Sequence, residues 1–400
     1  MKKIFYYTFD GVSDHLGQSQ VLPYIYGCSK NYLFHIFSHE KDLSKTKNNL
    51  NLRKRLKKEK IAWSATEFIY GKGIKKILFT LRSIFKLYRC IYLFKPDILH
   101  GRGFIPSVVL ALYAKITKIP FIYDYRSFSV EEWHEIGAYK KHSFVHRIFS
   151  RIDHWVLSSA SCVIVLTEAA KEMLLESQEL QNIHVIPTSV KAITHSSKGR
   201  YKIIEDSKPL SFVYSGGVNY PYKFKEAVTF LQLLNSILPI ELTIYNKADT
   251  EVINSVFNDL KPSFNFSVLS LPHSDLLNSL PNFDCSIFLI DVTKARSTCC
   301  PTKLGEFFSA GLPVLANTGI SIVDIIAEKY GNIFYIDGFI NDKQSNNKAI
   351  EELDLVKDFI LDKDRNFKAS QKAFLEVFDM QLAITSYHKA YQSIASSNYL

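Results

Sequence analysis

Short apolar runs, each closed by a polar residue or a glycine and followed by a helical stretch, recur from one end of the chain to the other. In the first half they are Ile4–Phe9, Tyr32–Phe37, Ile98–His100, Phe121–Tyr123, Cys162–Leu166 and His184–Ile186. In the second they are Ser211–Tyr214, Glu241–Tyr245, Phe266–Leu269, Cys285–Ile290, Pro313–Ala316 and Asn332–Ile336. Strands that are continuously apolar and separated by helices imply parallel sheets covered on both faces. Two such sets on 400 residues predict an α/β chain of two Rossmann-like, doubly wound parallel-sheet domains facing a cleft. The polar stretch Thr188 to Pro209 has no strand pattern and marks the join, so the domains are expected at 1–190 and 191–382. An amphipathic pattern from about Gln381 to Ser396 predicts a last helix, within 383–400, returning to the first domain.

Several classes are disfavoured. No uncharged apolar run approaches the roughly 18 residues of a spanning helix. Met1-Lys2-Lys3 resembles the start of a signal peptide, but the apolar stretch stops at Asp10, short of an h-region of about 7–15 residues. The segment therefore reads as a first strand of a cytoplasmic protein. Cys28, Cys90, Cys162, Cys285, Cys299 and Cys300 have no zinc spacing and are too sparse for a disulfide framework.

The formal net charge is +10. Lys41 to Lys95 contains sixteen basic and three acidic residues, which suits nucleic acid, an anionic membrane surface or an acidic small substrate. No nucleic-acid recognition module is visible. The interleaving of Lys75, Lys76, Arg82, Lys86 and Arg89 with aliphatic and aromatic residues fits a helix lying on an anionic membrane, or one with its apolar face in the core.

Ligands of open parallel sheets bind at the carboxyl ends of the strands, so the residues just after each strand carry the chemistry. The most informative segment is Cys299-Cys300-Pro301-Thr302-Lys303-Leu304-Gly305-Glu306, continuing to Gly311-Leu312-Pro313-Val314. Thr302 is expected to cap a helix that Gly311 ends. The first N–H groups of such a helix, with Lys303 beside them, suit a diphosphate. Glu306, three residues on, shares the face of Lys303 and is placed to accept ribose hydroxyls. A plain surface helix with a solvated Lys–Glu pair is the alternative.

With these residues the sequence resembles the retaining GT-B glycosyltransferases of the family-4 type, in their Pro-Thr-Lys-x-x-Glu subgroup. The resemblance covers nearly the whole chain. Glu306 matches the second glutamate of the family signature, and Thr298 occupies the place of the first. It implies that Cys300, Pro301, Thr302, Lys303 and Glu306 hold a nucleotide-sugar donor, with backbone N–H groups around Cys300–Thr302 replacing the first glutamate. The loop Ser215-Gly216-Gly217-Val218 would contact donor phosphate, with Gly217 standing where the family often has Arg, and Lys223 or Lys225 serving as the following Lys. Asp10 to Gln20, with Gly17, resembles the family's Gly-Gln-Ser-Gln loop facing phosphates and acceptor. His100, Arg102, Asp124 and Arg126 end two further strands and are expected to complete the cleft.

The expectation is thus a retaining, hexosyltransferase-type glycosyltransferase requiring no metal. It would move sugar from a nucleotide-diphosphate sugar to a glycan or lipid-linked acceptor in surface polysaccharide or glycoconjugate synthesis. A peripheral site on the inner face of the cytoplasmic membrane, reached through segment 41–95, is part of it; nucleic acid is not. The rivals are a UDP-sugar 2-epimerase-like enzyme and a non-catalytic nucleotide or sugar binder.

Overall fold

A computed structural model of the chain describes residues 1–68, 74–193, 208–246, 248–341 and 346–396. Most of the expected join, 194–207, lies outside them. The chain forms two compact units. The first contains Met1–Thr188, Thr298–Cys300 and Met380–Leu400; the second contains Ser189–Ser297 and Pro301–Asp379.

Seven parallel strands make the sheet of the first unit: β1 (Lys2–Thr8), β2 (Tyr32–Glu40), β3 (Ala62–Glu67), β4 (Ile98–Arg102), β5 (Phe121–Asp124), β6 (Cys162–Val165) and β7 (Ile183–Val185). Their order is β3-β2-β1-β4-β5-β6-β7. The second sheet holds β8 (Leu210–Ser215), β9 (Ile240–Tyr245), β10 (Asn265–Leu269), β11 (Cys285–Phe288), β12 (Val314–Ala316) and β13 (Ile333–Tyr335). They run β10-β9-β8-β11-β12-β13. In each sheet the order reverses beside the first strand, the place where doubly wound folds bind ligands.

The β1 run is apolar throughout because both its faces are covered. Ile4 and Tyr6 enter one core, with Leu22, Ile25 and residues of the C-terminal helix Met380–Ser396. Phe5 and Tyr7 enter the other, with Leu87, Ile91 and Leu110. Each fully buried side chain of this kind contributes about 1.5–3 kcal/mol. The C-terminal helix packs within the first unit through Met380, Tyr387 and Tyr391. The second unit has its own core, in which Phe212, Leu242 and Ile287 meet Val228 and Leu231 of the helix Phe224–Leu234.

All twelve expected runs contain strands, and β3 is an addition. It is an edge strand with one buried residue among six, so Ala62-Trp63-Ser64-Ala65-Thr66-Glu67 has no apolar run to betray it. Among the described residues no helix is long and apolar enough to cross a membrane. The six cysteines are unbridged.

The loop after β1 is held by packing and by a buried carboxylate. Glu40, at the end of β2, accepts the N–H groups of Val12 (2.8 Å) and Ser13 (3.1 Å) and the hydroxyls of Ser13 and Ser38. Gly17 lies against this loop so closely that a Cβ would come 2.0 Å from the Gly11 carbonyl oxygen and 2.7 Å from Val12 Cα. Those neighbours are backbone and cannot rotate away. Gly17→Ala should therefore destabilise the first unit by about 1–3 kcal/mol, the usual cost of overpacking. A thermal melt should show a drop of several degrees, at roughly 2–4 °C per kcal/mol. An unchanged melting temperature would mean that the loop yields freely.

Candidate functional site

The second unit gathers one cluster at the end of β8. The chain leaves β8 into Gly216, whose φ of 108° lies where glycine alone is at ease. The Gly216 N–H donates to the Tyr245 carbonyl (3.0 Å), and the Gly216 carbonyl accepts from Asn246 Nδ2 (2.8 Å). The Tyr214 hydroxyl donates to the Gly217 carbonyl (2.7 Å). Both glycine carbonyls are thus engaged, while among the described residues the N–H groups of Gly217 and Val218 have no acceptor.

Lys303 stands against this turn. Its Nζ lies 2.3 Å from where a Gly216 Cβ would be. The ammonium sits 3.9 Å from the Tyr222 ring centroid, with the rings of Tyr214 and Phe288 at 5.6 and 5.7 Å. Aromatic faces stabilise a cation without neutralising it. Burial pushes the Lys303 amine down to about 7, against the upward pull of Glu306.

The helix Thr302–Ser309 begins here, with Pro301 in the capping position. The expected Thr302 cap is therefore corrected: Thr302 is the first helical residue and no side chain caps this end. Pro301 has no N–H to offer, so it cannot share in the expected backbone donors. Among the described residues the N–H groups of Thr302 and Lys303 have no acceptor, while Leu304 donates to the Pro301 carbonyl (3.2 Å). Glu306 is buried, and its Oε1 is 2.8 Å from Nε2 of His273, at the start of the helix His273–Ser279. His273 was invisible to sequence reasoning because nothing local links it to Glu306.

Of the lysines proposed to follow the glycine loop, Lys223 Nζ lies 3.5 Å from Asp291, and Lys225 pairs with Asp259 at 3.2 Å on an exposed surface. Lys303 is the cation beside Gly216. A Cβ at Gly217 would lie 2.9 Å from Tyr222, so this glycine makes room for the ring that carries the Lys303 ammonium.

The first unit brings His100, Arg102, Asp124 and Arg126 into one network at the ends of β4 and β5. Asp124 is fully buried, with Arg102 Nη1, Arg126 Nη1 and the Tyr387 hydroxyl each 3.4 Å from its carboxylate. Burial alone would raise the Asp124 carboxyl, but Arg126, His100 and Arg102 outweigh it and hold it well below the usual range. Arg102 also donates from Nε to Asp10 (2.8 Å). His100 is fully buried, its Nδ1 3.0 Å from the Tyr391 hydroxyl and its ring beside those of Tyr6 and Tyr387. Burial lowers its pKa, so it sits neutral beneath the strand ends as a support, where it was expected to complete the cleft. Arg126 and Asp10 are the members with solvent access, their side chains 14% and 29% exposed. Within the same unit Cys300 is buried and its carbonyl accepts from the Thr188 hydroxyl (2.8 Å).

The basic segment 41–95 does not form one patch. The helix Leu50–Lys58 packs Leu52 and Leu56 into the core on one face of the sheet, while the helix Ile74–Phe94 packs Leu87 and Ile91 into the core on the other. Arg53 and Arg55 lie over the rings of Trp63 (5.5 Å) and Tyr26 (4.3 Å). Residues 69–73 and the side chains of Lys45, Lys47, Lys75 and Lys76 are outside the described residues.

Residues 47–192 match the family model described as Glycosyltransferase Family 4. Among solved structures, sucrose-phosphate synthase (tll1590) from Thermosynechococcus elongatus is similar at 11% identity over 99% of this chain and 100% of that one, with a TM-score of 0.71. Anabaena Alr3699/HepE, solved in complex with UDP, is similar at 12% identity over 98% and 100%, with a TM-score of 0.68. A putative UDP-N-acetylglucosamine 2-epimerase from Listeria monocytogenes is similar at 14% identity over 99% and 97%, with a TM-score of 0.60. No curated protein sequence matches the chain. The fold is GT-B, and the resemblance to glycosyltransferases of the family-4 type stands.

Lys303 gives this cluster a pH signature. A bound diphosphate stabilises the charged amine, so its pKa in the complex exceeds the value of about 7 in the unliganded site. Above that value binding must take up a proton, and affinity falls with rising pH by at most about tenfold per unit. Calorimetric titration with UDP from neutral to alkaline pH should show this decline, and Lys303→Ala should bind more weakly without it. A decline of equal slope in Lys303→Ala would assign the proton to another group.

Proposed function

We propose that this protein is a retaining glycosyltransferase that moves a hexose from a nucleotide-diphosphate sugar to a glycan or lipid-linked acceptor in surface polysaccharide or glycoconjugate synthesis on the cytosolic side of a membrane. The observation that carries it is the Lys303 ammonium held against the Gly216 turn, with Glu306 one helical turn further on.

In this reading the diphosphate lies on the uncapped helix start and the Gly217 and Val218 N–H groups. Lys303 offsets the charge that develops on the leaving diphosphate as the bond to the sugar breaks. Such preorganised charge is worth most in a site shielded from water. Glu306, oriented by His273, accepts the ribose hydroxyls, and a carboxylate already fixed by a donor loses little freedom on binding. Arg126, steadied by Asp124, serves the acceptor side; Arg102 and His100 act through Asp124 and keep that carboxylate ionised. The new glycosidic bond forms on the face the diphosphate leaves, with the acceptor hydroxyl as nucleophile and its proton passing to the departing diphosphate oxygen. Because lysine and helix dipole take the leaving-group charge, the reaction is expected to need no metal.

A UDP-sugar 2-epimerase is the second reading, favoured by the likeness to the Listeria monocytogenes structure. A non-catalytic nucleotide or sugar binder is the third. A thermal-shift screen with UDP, GDP, CMP, ADP and dTDP selects the donor base, since a binder raises the melting temperature by mass action. The matching nucleotide-sugars are then incubated with the protein in EDTA. The expected result is slow donor hydrolysis that persists without metal and releases the sugar with its carbon-2 configuration intact. A sugar inverted at carbon 2 would support the epimerase. Activity abolished by EDTA and restored by magnesium or manganese would sink the metal-free mechanism. Glu306→Gln should weaken nucleotide binding by about 1.5–3 kcal/mol through loss of a charge-assisted hydrogen bond, leaving the melting temperature of the unliganded protein nearly unchanged. Unchanged affinity would remove Glu306 from the ribose.

A further inference from the structure

The helix Ile74–Phe94 is apolar on two opposite sides. Its inner side places Ser83, Leu87 and Ile91 in the core of the first unit, with almost no exposure. Its outer side exposes Leu78, Leu81, Phe85 and Tyr92, all more than half accessible and Phe85 the most, at 72%. The spacing of 78, 81, 85 and 92 brings these four onto one stripe. Arg82 and Arg89, both exposed, run along one edge of it. The whole helix contains five basic residues and no acidic one.

The stripe continues onto its neighbours. The Tyr88 hydroxyl donates to the Val109 carbonyl (3.1 Å), and the Tyr88 and Tyr113 rings lie 4.9 Å apart. These contacts set the helix Phe104–Thr117 alongside, with Leu112 and Ile116 exposed next to the exposed Lys115 and Lys118. The helix Phe144–Ser159, packed on that one, exposes Phe144, Val145 and Ile148 in its first turns, with Lys140, Lys141 and Arg147 around them.

We infer that this layer of three helices docks on an anionic lipid surface, with the outer stripe of Ile74–Phe94 entering the headgroup region. Three features favour lipid over a protein. Large apolar side chains edged by arginine suit an interface where the chain end is buried and the charge stays with the headgroups. The stripe is the outer side of a helix, a ridge with no groove of its own. A second copy meeting this face symmetrically would set one row of basic residues against another without a carboxylate from this helix to relieve it. The inference does not depend on the donor chemistry. It also narrows the surface expected of segment 41–95 to the helix Ile74–Phe94, since the helix Leu50–Lys58 packs on the opposite face of the sheet.

The test is co-sedimentation of the full chain with phosphatidylcholine vesicles with and without phosphatidylglycerol. Binding should require the anionic lipid and weaken as salt is raised. The exposed double variant Leu81→Ser/Phe85→Ser should lose most binding at every salt concentration. Arg82→Gln/Arg89→Gln should weaken it by about tenfold or more. Replacing Lys54, Lys57 and Lys58 by Ser on the other face should change it little. UDP thermal shifts should be the same in all variants, which separates failure of this proposal from failure of the donor assignment. Absence of binding to phosphatidylglycerol vesicles at low salt would overturn the proposal. So would full binding by Leu81→Ser/Phe85→Ser, or a self-association in sedimentation that this variant abolishes.

Discussion

A carboxylate taken out of water has to be answered by charge or by hydrogen-bond donors, because leaving it unpartnered is costly. Three such groups organise the loops of this protein. Asp124 answers to two arginines, a histidine and the Tyr387 hydroxyl, and thereby fixes the ends of β4 and β5 to the C-terminal helix. Glu40 answers to two backbone N–H groups and a cluster of hydroxyls, and gives the loop after β1 its shape. Glu306 answers to His273 and keeps its position on the Thr302 helix. In each case a strand or helix of the core positions a group that a loop could not hold by itself, which is why loops can carry a defined site.

Lys303 is the counterpart, a cation removed from much of its water with no carboxylate within ion-pair distance among the described residues. Three aromatic rings and the pull of Glu306 replace hydration only in part, so its proton is held weakly. A group in that condition gains more from an arriving phosphate than a solvated lysine would, because its desolvation has already been met in folding. The neighbouring N–H groups that have no acceptor among the described residues share that property. Folding has left donors and a charge together in the second unit, where the proposed diphosphate would meet both.

Much of this was legible in the sequence, for identifiable reasons. Continuous apolar runs revealed every strand buried on two faces, and they missed β3 because an edge strand needs little apolar surface. The stretch from Pro301 to Pro313 was readable because Pro, Gly and the helical spacing of Lys303 and Glu306 act locally. Partners distant in sequence were not readable. His273 lies thirty-three residues from Glu306 and Tyr391 lies 291 from His100, and only the folded sheet brings them together. His100 itself was misjudged for the same reason. A strand-end histidine looks available until the helix that covers it, nearly three hundred residues later, is in place. The basic segment misled in another way, since charge counted along the chain says nothing about which face of a sheet each helix covers.

The glycines make the same point more sharply. Gly216 and Gly217 attract attention as places where a ligand can approach the backbone, and a strand-to-helix turn would explain them equally well. The structure adds a third reason. A Cβ on Gly216 would lie 2.3 Å from both Cε and Nζ of Lys303, and one on Gly217 would lie 2.9 Å from the Tyr222 ring on which that ammonium rests. The missing side chains are the space the lysine and its aromatic support occupy. The glycine turn after β8 and the lysine of the Thr302 helix, separated by more than eighty residues, are therefore one device. A side chain at 216 would have to displace the end of Lys303 from its aromatic support, so a change in the turn is felt by the cation.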